Sequence, residues 1–129
     1  MAEFARQVPV VRRKIPAAPL ILTLRSLPPL QRCVPAPACG KSAGYEGWLQ
    51  AAAAQLRAQV KGRLSGRVTI SIGLEDRHAR RSASDCVAPI VELLVVTGVL
   101  PDAGAGFVRG LTCAWAPVTG VTIRIERAA

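Results

Sequence analysis

The chain has 129 residues, half of them apolar, which is enough for one compact core and excludes a multidomain enzyme with separate cofactor and substrate lobes. Seventeen Lys and Arg against eight acids leave a formal charge of +9, which points to a polyanionic partner and, through the excess of Arg over Lys, to bidentate phosphate contacts. Aromatic residues are only 4 % of the chain, too few to build a base-stacking platform, and a mean hydropathy of +0.30 argues against wholesale disorder.

Cys33, Cys39, Cys86 and Cys113 form no C-x-x-C pair, and the single His78 lies far from each of them in sequence, which argues against a structural zinc site. The start, from Met1 to Lys14, is interrupted by Arg6, Arg12, Arg13 and Lys14 and lacks the apolar run of a secretory signal, so a cytoplasmic protein with free thiols is expected. The apolar stretches near 15–24 and 87–96 are short and broken by Pro16, Pro19 and Pro89, so no membrane span is expected.

In chain order, residues 1–18 read as a flexible basic arm preceding an α/β domain over 19–129. The run from Pro19 to Leu24 predicts a strand stopped by Pro28-Pro29, and the proline-rich segment from Leu27 to Ser42 predicts a loop. Tyr45, Trp48, Leu49, Ala52, Ala53, Leu56 and Val60 recur at helical spacing, and Gly62 and Gly66 end that helix. From Arg67 to Leu74 the pattern alternates, with Val68, Ile70, Ile72 and Leu74 on one face, as in a strand covered on one side.

Glu75 to Ser84 then reads as a basic loop. A second helix from Asp85 to Thr97 buries Val87, Ile90, Val91, Leu94 and Val95, with Pro89 near its first turn and Gly98 closing it. Phe107 to Trp115 and Val118 to Arg127, joined at Ala116-Pro117, predict a terminal hairpin. This order gives a single α/β domain with a mixed sheet and two main helices.

The three aspartates, Asp76, Asp85 and Asp102, fall at element junctions beside an Arg-rich loop, the combination a metal-dependent phosphodiesterase needs to hold a divalent cation and a scissile phosphate. The stretch Arg80-Arg81-Ser82-Ala83-Ser84-Asp85-Cys86, followed by an apolar helix to Thr97-Gly98-Val99-Leu100-Pro101-Asp102, resembles the RusA family of Holliday junction resolvases. Leu22-Thr23-Leu24 with Pro28-Pro29, the helix over 45–60 and Ala116-Pro117-Val118-Thr119-Gly120 extend the likeness over most of residues 20–127.

The resemblance implies a homodimeric, Mg²⁺-dependent endonuclease that binds branched DNA in recombination and repair. By that likeness Asp85 and Asp102 would be the catalytic and metal-binding carboxylates, while the excess charge of the chain makes Arg77, His78, Arg80 and Arg81 the expected DNA-binding residues. The acidic motif is incomplete. Ala83 stands at its first acid, Cys86 at its Asn and Ala103 beside Asp102, and Val87, Ala88 and Pro89 offer no counterpart to the family's basic residue in the first helical turn. A catalytically inactive DNA-binding or assembly protein on the same fold therefore stands as the alternative.

Plainer roles remain open for each residue. Asp85 reads equally as a helix N-cap, with Ser82 and Ser84 as other caps, and Asp102 as a turn former. Asp76 would pair with an Arg of its loop, His78 is a surface residue or a general base, and Cys86 and Cys113 are small buried groups. Tyr45 and Trp48 belong to the core stripe of the first helix.

Overall fold

A computed structural model describes residues 12–14, 19–29, 42–60, 63–78, 80–104 and 106–128. In chain order the elements are β1 (Arg12–Lys14), β2 (Leu20–Leu24), α1 (Ala43–Gln59), β3 (Arg63–Ser65), β4 (Val68–Glu75), a single 3₁₀ turn (Asp76–His78), α2 (Ser84–Val96), β5 (Val108–Ala116) and β6 (Val121–Arg127). The four long strands make one mixed sheet in the order β2-β6-β4-β5, and β1 and β3 pair in parallel as a separate ribbon. The single small α/β domain expected from the sequence is what forms.

Each helix follows from local chemistry. α1 carries four consecutive alanines, the best helix formers, and opens on Ser42, whose hydroxyl accepts a hydrogen bond from the Tyr45 N–H at 3.1 Å. Tyr45, Trp48, Ala52, Ala53 and Leu56 of α1, with Cys86, Ile90, Leu93 and Leu94 of α2, are buried against the inner sheet face, which presents Leu22, Leu24, Val68, Ile70, Ile72, Leu74, Val121, Ile123 and Ile125. On the other sheet face Ile21, Thr23, Ser71, Thr112 and Arg124 are exposed, so the strands alternate as the pattern of β4 predicts.

The expected terminal hairpin does not form. β5 runs parallel to β4 and β6 runs antiparallel to it, and β4 lies between them. The link over 117–120 steps across the end of β4: Glu75 N–H donates to the Gly120 carbonyl, and Gly120 N–H donates to Glu75 Oε1, each at 2.9 Å. Crossing one strand spans two interstrand gaps, roughly 10 Å, which four residues cover easily. β6 thereby gains two neighbours, and its Val121, Ile123 and Ile125 are fully buried.

Three further expectations change. Residues 12–14 of the predicted arm form β1, in register with β3, while the rest of 1–18 lies outside the described residues, as does 30–41 of the proline-rich loop. The N-cap of α2 is Ala83, so Asp85 sits inside the first turn instead of capping it. Pro89 is five residues beyond Ser84, past that first turn, where its missing N–H leaves the Asp85 carbonyl without an intrahelical donor.

Gly120 makes the crossing possible. Its φ is +69°, and a Cβ placed there would stand 2.1 Å from the Leu24 carbonyl oxygen and 2.7 Å from that of Arg25. Gly120→Ala is expected to cost more than about 2 kcal/mol, since positive φ alone costs about 1–2 and the clash must also be relieved. Urea unfolding midpoints measure this, and a loss below about 0.5 kcal/mol would show that the turn does not lock the sheet.

Candidate nucleic-acid interface

The strands give the molecule two ends. The upper end holds the C-terminal end of β4, the 3₁₀ turn and the start of α2; the lower end holds the start of β4 and β5, the close of β6 and the turn after α2. Arg77, His78, Arg80 and Arg81 all lie in the upper connection between β4 and α2, which the structure therefore brings together with Asp76 and Asp85.

These residues differ in their surroundings. Arg77 is spent on Glu75, with Nε 2.5 Å from Oε2, so among the described residues Glu75 and not Asp76 is the acid that pairs in this segment, and Asp76 and Arg80 are exposed. Arg81 is half-buried, and its Nε and Nη2 are buried without a hydrogen-bond partner. Buried guanidinium donors left unpaired are costly, and an anion brought to them would relieve that cost. It stands beside the start of α2, where Ala83 supplies no side-chain cap and the positive end of the helix dipole favours the same charge. His78 lies in the 3₁₀ turn.

Asp85 and Asp102 are not brought together. Asp85 is exposed in the first turn of α2, at the upper end. Asp102 follows the helix C-terminus, where Gly98 N–H donates to Val95 and Leu100 N–H to Leu94, and it precedes the tight turn in which Gly104 accepts from Phe107 and Val108. From Asp85 to the end of α2 at Val96 the axis runs about 17 Å, whereas carboxylates sharing one Mg²⁺ each approach it to about 2.1 Å. The two carboxylates of one copy therefore do not fit a shared ion. Among the described residues no group of three or more His, Cys, Asp or Glu gathers to hold a metal. Ala83, where the resemblance would place an acid, packs partly against the core.

The thiols were expected as small buried groups, and Cys86 is fully buried while Cys113 is partly so; both are free. They approach each other around one carbonyl: Ala83 O accepts from Cys86 N–H at 3.1 Å and from Cys113 Sγ at 3.7 Å. Burial pushes the Cys113 thiol from its ordinary value near 9 to about 11, with Cys86 reinforcing it. Burial also raises Cys86, the Arg81 guanidinium working against that rise. A shallow groove between α1 and β2, bordered by Arg25, Gln55, Gln59 and Thr119, is a separate feature.

No family model matches the chain, and no curated protein matches it. Among the described residues no helix is long and apolar enough to cross a membrane.

A thiol whose folded pKa is raised keeps its proton where the unfolded chain has lost it, so stability falls as pH climbs between about 9 and about 11. Native protein at pH 8 is accordingly expected to label with iodoacetamide at Cys86 and Cys113 far more slowly than the same protein in urea. Mass spectrometry of the two peptides reads this directly, and equal rates would show that neither thiol is shielded.

Proposed function

We propose that the protein is a RusA-like Holliday junction resolvase homologue that binds branched DNA in recombination and repair, and that it does so without cutting it. The observation that carries this reading is Arg81, with two unpartnered guanidinium donors at the start of α2, inside the very segment that bears the resemblance. The element order supports it as well: the β4-loop-α2 unit puts Arg80 and Arg81 at the entry of a helix, beside its N-terminus, where phosphate is favoured. A homodimer would present two such seats, matching the twofold symmetry of a four-way junction.

The absence of cleavage follows from the donor set. Asp85 and Asp102 of one copy do not share an ion, among the described residues no group of three or more His, Cys, Asp or Glu gathers to hold a metal, and the acid positions at Ala83 and Ala103 are filled by methyl groups. Binding then rests on phosphate contacts and on shape, with Arg80 and Arg81 contributing charge and fork geometry.

Fluorescence anisotropy with a labelled four-way junction and a linear duplex of the same sequence tests the proposal. The wild-type chain is expected to prefer the junction, and Arg80→Ala combined with Arg81→Ala to weaken junction binding at least tenfold, with a salt slope lower by about 1 for each phosphate left without its arginine. Incubation with Mg²⁺ or Mn²⁺ should yield no nicked product, and Asp85→Asn should change neither binding nor product. Equal affinity for junction and duplex would refute the junction reading, and metal-dependent nicking abolished in Asp85→Asn would refute the non-cleaving one.

A further inference from the structure

The apolar residues of α2 divide into two sets. Cys86, Ile90, Leu93 and Leu94 are buried against the sheet, whereas Val87, Val91 and Val95, expected in the same buried stripe, are only half-buried. The three valines recur every four residues and so share one flank of the helix. The acids of α2, Asp85 and Glu92, share another: Glu92 is about 100° round the helix from Val91, and its Oε1 accepts from the Tyr45 hydroxyl of α1 at 2.6 Å. α1 in turn stands over β2, held there by Gln55 and Gln59, while the start of α2 touches β5, where the Ala83 carbonyl accepts from Cys113 Sγ. The valine flank is therefore turned away from α1 and overhangs β5, the border of the sheet.

β5 continues the same wall. Among the described residues it pairs with β4 and with no other strand, and its inward Leu111, Cys113 and Trp115 pack on the core yet stay half-buried. Its one charged residue, Arg109, stands at its start. Helix flank and strand together make an apolar side of the molecule with no acid on it. Valine is a poorer helix former than alanine, so three valines on a flank open to water weaken α2 with little burial in return. Covering that flank reverses the balance.

We propose that this side is where two copies of the chain join, with β5 of one copy antiparallel to β5 of the other and the valine flanks of the two α2 helices meeting above the seam. The spacing favours a second copy. Each α2 stands over the β4–β5 pair that it connects; with strands about 4.8 Å apart, the centres of two such pairs joined edge to edge lie about 10 Å apart, the separation at which helices pack. A lone foreign strand would satisfy β5 and leave the valines in water, whereas a copy of this chain brings helix and strand together at the matching distance. The area suffices as well. The nine residues of β5 run about 30 Å, and sheet plus helix layer are about 20 Å deep, which covers about 600 Å² per copy and reaches the lower bound for specific interfaces, about 1,200 Å² in total. The interface needs no DNA; its bearing on the proposed function is that the twofold axis sets the two Arg80–Arg81 loops at opposite ends of the joined sheet.

Sedimentation velocity in the absence of DNA, on variants first confirmed folded by circular dichroism, tests this. The wild-type chain at about 50 μM is expected to run at twice the 13.6 kDa of one copy. Val91→Glu sets a carboxylate on each valine flank and is expected to raise the dimer dissociation constant at least tenfold, while Val91→Ile keeps it within a few-fold of wild type. Val96→Glu makes the same change at an exposed position one turn beyond Glu92 and should leave the constant within twofold. Hydrogen exchange of the wild-type chain gives a reading that no variant can spoil: peptides of β5 and α2 should gain protection between about 1 and 50 μM, and those of β2 and α1 should not. A wild-type chain that stays monomeric up to about 100 μM, a Val91→Glu dimer as tight as wild type, equal dissociation in Val96→Glu, or protection gained elsewhere each overturns the inference. A monomer that still prefers the junction sinks the interface alone; a dimer that binds junction and duplex equally sinks the proposed function alone.

Discussion

The fold hangs on the passage of the chain over the end of β4. Two hydrogen bonds between Glu75 and Gly120, one to the carboxylate and one to the carbonyl, hold the link that carries β6 into the centre of the sheet. Without that insertion β2 would have no partner, because its register is entirely with β6, and the inner face would lose the buried row of Val121, Ile123 and Ile125. Glu75 also holds Arg77, so one carboxylate fixes both the sheet topology and the first residue of the basic connection. Changes near the candidate interface are in this way also changes to the scaffold.

Much of this architecture was legible in the residues. β4 showed a clean alternation, α1 showed its apolar stripe, and both lie where those signals place them, within a residue or two. What periodicity does not carry is pairing. The runs over 107–115 and 118–127 looked like a hairpin because they are adjacent in sequence and joined through Ala-Pro, yet nothing local distinguishes a turn that folds back from one that passes over a neighbour. The β1–β3 ribbon was equally hidden: three-residue strands rich in Arg look like solvated chain until a partner is known.

The candidate site was legible in part for the same reason. Arg77, His78, Arg80, Arg81 and Asp85 are close in sequence and thus close in space, so reading them as one unit needed no tertiary information. Asp85 and Asp102 are separated by a helix, and an α-helix followed immediately by a parallel strand leaves its two flanking loops at opposite ends of the layer. Arg81 stood out only as one basic residue among several until its buried, unpartnered donors set it apart, and that is a property of packing.

One feature of the sheet bears on assembly. The outer rim of β2 is closed by α1: Gln59 accepts from Thr23 N–H at 2.9 Å and donates to its carbonyl at 2.7 Å, and Gln55 accepts from Arg25 N–H at 2.8 Å. Two glutamine amides here stand in for a neighbouring strand. Among the described residues β5, the other border, pairs on one side only. Rim-to-rim growth of such a sheet has a single valence: two copies joined through β5 would present only amide-sealed borders outward, so the pairing terminates at a dimer and does not propagate into a fibre.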